Sequence, residues 1–293
     1  GKIKTRSLSR SKTIFKIKIR TRFITIALAM LASLCNPTLE VRAQSLNFNS
    51  NADLPVEVFA DNGIEWQQDQ LVFVARGNAR AVRGQVTVFA DELRAYYREQ
   101  PDGKTDIWRL DAINKVRIKS PDGTAYGDHG IYNVDDGIIV LTGSKPVKLI
   151  TPTDLIIANR QIEFWEKRQM AVARGNAVAK RLDKELRAEV LAAYFKRNKK
   201  GEAELYRVEA FDKVKVTTPK DSALSNRAVY NTKSGIVTLS GDVKILRGGN
   251  QLTGCSAEVN LNTGISQIRT CEMDANGGTN RVKGVVWPRK HKE

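Results

Sequence analysis

Val74-Ala75-Arg76-Gly77-Asn78-Ala79 returns letter for letter as Val172-Ala173-Arg174-Gly175-Asn176-Ala177, 98 positions downstream. The same offset carries Glu65 onto Glu163, Leu93-Arg94-Ala95-Tyr96 onto Leu191-Ala192-Ala193-Tyr194, and Arg109, Ala112, Lys115 and Val116 onto Arg207, Ala210, Lys213 and Val214. It continues without a gap through Pro121/Pro219, Tyr132-Asn133/Tyr230-Asn231 and Gly137-Ile138/Gly235-Ile236 to Gly143/Gly241. One structural unit is written twice, which favours a function built on repetition over one built around a single site.

Outward from this core the pattern is strand after strand. From Val58 to about Ile268, turn residues such as Asp61-Asn62-Gly63, Pro101-Asp102-Gly103, Pro121-Asp122-Gly123 and Asp135-Asp136-Gly137 break the chain every eight to fifteen positions. Ile107 to Lys119 alternates apolar even positions with charged odd ones, and Tyr206 to Val216 repeats the alternation in phase. Between Val86 and Tyr97 the apolar parity switches around Asp91-Glu92, which predicts a bulge or sheet corner there. Leu252, Cys255, Val259 and Leu261 echo Leu155, Ala158, Ile162 and Phe164 with a one-residue slip, the start of a partial third unit. The expected division is a linker over 44–57, repeats over 58–153 and 154–251, and a partial repeat with a basic tail over 252–293.

With 41% hydrophobic residues in 293, the chain can bury a real core. The net charge of +16 is concentrated at the N-terminus, where residues 1–43 hold ten Lys or Arg against Glu40 alone. The remainder has 38 basic and 31 acidic residues, a net +7. The basic stretch runs into the apolar Phe23 to Leu34 and then Val41-Arg42-Ala43, the layout of a secretory signal peptide cleaved after Ala43, with a retained membrane anchor as the alternative. Cys35 lacks the small residue that a lipid-attachment site needs before it. Export places Cys255 and Cys271 in an oxidising compartment. A hairpin centred on Thr263 would set them across two strands as a disulfide; one residue of slip would leave two free thiols.

Catalytic constellations are missing: two histidines, no nucleophile elbow, no phosphate loop, no metal-ligand spacing. The recurring acids Asp91/Glu189 and Asp111/Glu209 fall at turns or on the wet face of strands, where a solvated charge is the simpler account than a glycosidase pair. No cofactor, metal or enzymatic activity is expected. The Lys196-Arg197-Asn198-Lys199-Lys200 cluster is absent from the first copy and reads as a solvated hairpin tip; export argues against a nucleic-acid partner. Trp66/Phe164, Trp108/Tyr206 and Tyr96/Tyr194 are aromatic in both copies, as core residues or as the lining of an apolar groove.

Ala90-Asp91 followed by Leu93-x-Ala95, the Val74–Ala79 segment, Ala125-x-Gly127-Asp128-x-x-x-Tyr132, Gly137-x-x-x-Leu141-Thr142-Gly143 and the C-terminal Arg281-Val282-Lys283-Gly284 resemble the OstA/LptA family of periplasmic lipopolysaccharide-transport proteins. The resemblance spans residues 58–288. It implies an all-β, antiparallel, jelly-roll-like sheet bent into an open V, here built from two 98-residue repeats plus a partial third. It also implies a periplasmic bridge or carrier that shields lipid A acyl chains of lipopolysaccharide. Its implied partners are homologous inner- and outer-membrane transport components and further copies joined head to tail between Val58-Phe59-Ala60 and Ile265–Ile268.

In-phase alternation then nominates the groove lining: Trp66, Phe73, Trp108, Leu110, Val116, Ile118, Ile139 and Leu141, with Phe164, Tyr206, Val208, Val214, Val216, Val237 and Leu239 in the second copy. Competing expectations are an inner-membrane-anchored member of the same bridge, a carbohydrate-active β-repeat enzyme, for which a 98-residue period is too long for one coil, and a structural β-sandwich array.

Overall fold

The computed structural model describes residues 56–101, 103–199, 203–263, 265–270 and 282–286. The expected leader, nearly all of the linker, and the basic tail lie outside the described residues. Eighteen strands follow in chain order: β1 (Glu57–Phe59), β2 (Ile64–Gln67), β3 (Val72–Arg83), β4 (Val86–Glu99), β5 (Thr105–Ser120), β6 (Gly123–Asn133), β7 (Ile138–Thr142), β8 (Val147–Ile150), β9 (Leu155–Ala158), β10 (Gln161–Trp165), β11 (Met170–Arg181), β12 (Lys184–Arg197), β13 (Ala203–Thr217), β14 (Asp221–Asn231), β15 (Ile236–Arg247), β16 (Asn250–Asn260), β17 (Ser266–Arg269) and β18 (Lys283–Val285). They form one sheet in which every described pairing is antiparallel.

Four rungs of this ladder are split into two short strands: β1 and β2 both pair with β3, β7 and β8 with β6, β9 and β10 with β11, and β17 and β18 with β16. Eighteen strands therefore make fourteen rungs. The 98-residue offset is visible in the strand bounds, since β3, β4 and β6 map onto β11, β12 and β14, and the split rung β1·β2 maps onto β9·β10.

The two copies then diverge. The first breaks its seventh strand around Gly143-Ser144-Lys145-Pro146, where Pro146 has no N–H for the ladder, and β7 and β8 result. The second runs straight through as β15. Corner residues lost here and at Asn159-Arg160 accumulate. Phe164 pairs with Ile139 as Val259 pairs with Val237, so Phe164 is the counterpart of Val259, an offset of 95. The one-residue slip read from the sequence set Ile162 there instead.

A line of bulges crosses the sheet at one level. Registers shift at Arg76/Ala79, Phe89/Glu92 and Ile113/Val116 in the first copy, and at Arg174/Ala177, Arg187/Val190, Phe211/Val214, Leu224/Arg227 and Ser240/Val243 in the second. The corner expected at Asp91-Glu92 is one of them. Left-handed backbone recurs with the repeat: Asn78 and Asn176 at φ 43° and 44°, and Asn114-Lys115 and Asp212-Lys213 at φ 51–62°. A bulge bends the strand that carries it, and the alignment of these bulges at one level creases the sheet into two arms. The upper arm carries β2, β7, β10 and β17; the lower carries β1, β8, β9 and β18. Among the described residues β1 and β2 pair only with β3, and β17 and β18 only with β16, so these are the two end rungs of the sheet.

Small side chains fill the crease. Ala79, Ala90, Ala158, Ala177 and Ala188 are buried there, and the largest fully buried side chains are Val116, Val147, Val214 and Val243. Two apolar clusters span both arms, and Ile162 packs against each, so one core continues from the first copy into the second.

Candidate functional site

The pairing registers assign every residue of the concave face to a row that crosses the whole sheet. On the lower arm the row reads Val58, Ala81, Val88, Ile118, Ala125, Leu149, Ile156, Ala179, Leu186, Val216, Ala223, Ile245, Leu252, Gly284. On the upper arm, nearest the crease, it reads Ile64, Ala75, Leu93, Ala112, Gly130, Leu141, Ile162, Ala173, Leu191, Ala210, Ala228, Leu239, Ala257, Ile268. The next row out runs Trp66, Phe73, Ala95, Leu110, Tyr132, Ile139, Phe164, Ala171, Ala193, Val208, Tyr230, Val237, Val259, Ser266. None of the three contains a charge. At about 4.8 Å between strands, fourteen rungs extend roughly 60 Å.

Of the fifteen residues nominated from the sequence, thirteen lie in these rows or at the crease. Trp108 and Tyr206 do not. A one-residue bulge pairs Tyr96 with Arg109 and Tyr97 with Ile107, and it turns Trp108 out of the row to sit 6.1 Å from Tyr96. Tyr206 repeats this against Tyr194 at 6.4 Å, leaving Leu205 opposite Phe195. Strict alternation across an unseen bulge assigned both to the wrong face. Val116, Ile118, Ile139, Leu141, Phe164, Val214 and Leu239 are buried, and all but Ile139 and Phe164 belong to the two apolar clusters that form the floor. The reachable surface is made by the half-buried Phe73, Leu110, Val208, Val216 and Val237 and by Trp66, which is 58% exposed. The alanine rows were overlooked in the sequence, although Ala75/Ala173, Ala90/Ala188, Ala112/Ala210 and Ala125/Ala223 all obey the repeat.

The convex face of the upper arm is ionic, and its pairs repeat. Arg76 meets Glu65 at 2.5 Å and Arg174 meets Glu163 at 2.5 Å; Arg109 pairs with Asp111 at 2.7 Å, and Arg207 pairs with Glu209. Arg109 and Arg207 also lie over the rings of Tyr96 and Tyr194. Glu163 is buried; desolvation pushes its carboxyl up, but hydrogen bonds from Arg174, Trp165 and Gln161 outweigh this and hold it below the usual carboxylate range. In three of these four pairs the arginine is half-exposed while the acid is largely buried, so each arginine supplies the charge and hydrogen bonds its carboxylate needs, and the convex wall is charged where the concave rows are not.

The lips of the groove are polar. Arg181 grips Asp154 through two hydrogen bonds of 2.7 Å, and Arg247 reaches Asp221 at 2.9 Å, both on the lower lip. Across the mouth, Tyr132 donates to Glu166 Oε2 at 3.2 Å. Burial first, then the Glu166 charge, push the Tyr132 phenol up to about 12. Arg83 of the lower lip acts on both groups, and Tyr230 acts on Arg181, its counterpart 98 residues on. Nothing in the sequence marked Glu166, which reads there as part of a charged turn.

At the two ends of the sheet, exposed apolar side chains gather: Val56, Val58, Phe59, Ile64 and Trp66 at one edge, Leu252, Ile265, Val282 and Val286 at the other. Cys255 is disulfide-bonded. Cys271, its expected partner, lies outside the described residues, and the hairpin register pairs Ser256 with Arg269, one residue away from the centring on Thr263. Among the described residues no group of three His, Cys, Asp or Glu converges to hold a metal. Among the described residues no helix is long and apolar enough to cross a membrane.

A 110-residue stretch is 30% identical to an uncharacterized protein of Rhizobium meliloti (strain 1021), covering 36% of this chain and 58% of that protein. The chain thus spans a little over half the length of this curated relative. Among solved structures, the crystal structure of LptH, the LptA homologous periplasmic component of the conserved lipopolysaccharide transport device from Pseudomonas aeruginosa, matches at 13% identity, 82% coverage of this chain and 99% of that one, with a TM-score of 0.21. The family described as LptA/(LptD N-terminal domain) LPS transport protein matches twice, over residues 57–163 and 155–265. The overlap falls on β9·β10, the rung shared by the two copies. These matches cover well over half of the sequence, and the chain belongs to the LptA/(LptD N-terminal domain) LPS transport protein family.

Proposed function

We propose that this protein is a periplasmic carrier of lipopolysaccharide that shields lipid A acyl chains in the groove between its two arms while sugars and phosphates stay in water. One observation carries the reading: three uncharged rows cross all fourteen rungs without interruption, through the junction of the two family matches. Each methylene moved out of water is worth about 0.8 kcal/mol, so a twelve-carbon chain gains on the order of 9 kcal/mol before ordering costs. That is enough to hold a lipid and needs no covalent chemistry. Cargo exchanges arm-to-arm apolar contacts for contacts of the same polarity.

The same geometry supports assembly into a bridge with inner- and outer-membrane partners or further copies. Inside the chain, the split rung β7·β8 pairs with the split rung β9·β10. The two free edges, β1·β2 and β17·β18, are also split rungs, and a head-to-tail contact between them would repeat the internal junction. Unpaired edges with exposed apolar side chains favour such pairing, and a heterologous contact of this kind does not close on itself. Mass spectrometry of the protein purified from a native envelope fraction tests the carrier reading. Co-purifying lipopolysaccharide is expected; a protein bare of lipid, or carrying phospholipid alone, would contradict it.

A further inference from the structure

Glu166 is a carboxylate in a place built for an apolar side chain. It is 6% exposed, and it lies two residues beyond Phe164 on the concave side of the upper arm. Its own N–H donates to Gly137 O at 2.8 Å; a Cβ at Gly137 would stand 3.2 Å from Glu166 Oε2, so the glycine leaves the carboxylate its space. In the second copy the same backbone bond runs from Leu261 to Gly235, and there the buried side chain is a leucine. Glu166 Oε2 receives the Tyr132 hydroxyl, while Oε1 is buried with no hydrogen-bond partner. Leaving a buried carboxylate oxygen unsatisfied is costly, and native proteins rarely do it. Burial holds the carboxyl above its usual range, with Tyr132 and Arg83 pulling the other way, which is the electrostatic expression of the same missing donor.

We propose that Glu166 Oε1 receives a hydroxyl hydrogen of the amphiphile carried in the groove, at the junction of its headgroup and acyl chain. This rests on the carrier reading and adds a fixed polar register point to it. The upper lip is where an acyl chain leaves the apolar rows, so a group one or two bonds beyond the chain meets Glu166. A neutral donor suits the position, because Arg83 already supplies positive charge to it. A hydroxyl gives its hydrogen to Oε1 and keeps lone pairs for a donor across the mouth.

The test compares two probes bound to the full chain below their micellar concentrations: 1-lauroyl-2-hydroxy-glycero-3-phosphocholine and its 2-O-methyl ether, which differ only in that donor. The wild-type protein should bind the hydroxyl probe about tenfold more tightly, the scale of one hydrogen bond to a charged group. Glu166→Leu, which installs the residue of the second copy, should bind both probes equally, near the affinity of the wild type for the ether. If that variant fails to fold, Glu166→Gln should reduce the preference to about threefold through its neutral acceptor. Equal binding by the wild type, or a preference that survives in Glu166→Leu, overturns the proposal and leaves the carrier reading standing. Failure of the wild type to bind either probe counts against both.

Discussion

At the scale of single residues, two buried glutamates behave oppositely. Glu163 gives up its proton more easily in the fold than in the unfolded chain. The stability it supplies is therefore fully present above the unfolded carboxyl range and lost as pH falls through its lower folded value. Glu163→Gln should cost about 2 kcal/mol near neutral pH, the scale of hydrogen bonds to a charged group, and almost nothing in strong acid. Equal costs in the two conditions, measured by urea unfolding, would refute the assignment. Glu166 holds its proton more tightly in the fold, so its contribution is present below the unfolded carboxyl range and lost as pH rises through the folded value. Glu166→Leu should raise the unfolding midpoint at neutral pH, by an amount that shrinks on acidification. This difference is not legible in the sequence, because Glu163 meets its arginine only across the β10–β11 pairing, 11 residues away, and Glu166 meets a tyrosine 34 residues away.

At the scale of elements, the crease is the feature that a strand-by-strand reading under-resolves. Gly175 has φ +88°, and a Cβ there would lie 2.9 Å from the backbone nitrogen of Arg160. Gly175→Ala should cost about 2–3 kcal/mol, since left-handed backbone strain and a backbone clash add. Gly103→Ala, with φ +79° and nothing within 4 Å of the added atom, should cost about 1 kcal/mol. Equal denaturant midpoints for the two variants would mean that the crease is not tightly packed. The period, the strand alternation and the Asp91 corner were all legible in the chain, because repeated residues and a parity switch record them directly. The bulge at Trp108 was not, because one extra residue leaves the alternation of flanking side chains intact while rotating one of them outward. The floor of the groove was legible only in part, because alanine reads as neutral in any pattern of apolar alternation. We also propose that Cys255 pairs with Cys271 to fasten the last rungs, by roughly 3 kcal/mol for a loop of this size. Peptide mass mapping without reductant should show Cys255 and Cys271 both blocked to alkylation; finding both alkylated would remove the bridge.

At the scale of the whole molecule, apolar side chains are exposed at both end rungs of the sheet, which is what the proposed head-to-tail extension requires. Proline at Phe59 or Ile268 removes an edge N–H and strains the ladder, so each should abolish head-to-tail association in concentration-dependent light scattering while leaving the monomer's circular dichroism unchanged. Wild-type protein that stays monomeric at every concentration and binds no partner edge would favour a shuttling carrier over a bridge. The central claim is that cargo runs along the concave rows. A photocrosslinking residue placed at Val216, in the lower-arm row, and at its neighbour Lys215, on the opposite face, measures this most directly in cells that make lipopolysaccharide. Capture of lipopolysaccharide at Val216 and none at Lys215 is the predicted result; capture at Lys215 with none at Val216 would contradict the account.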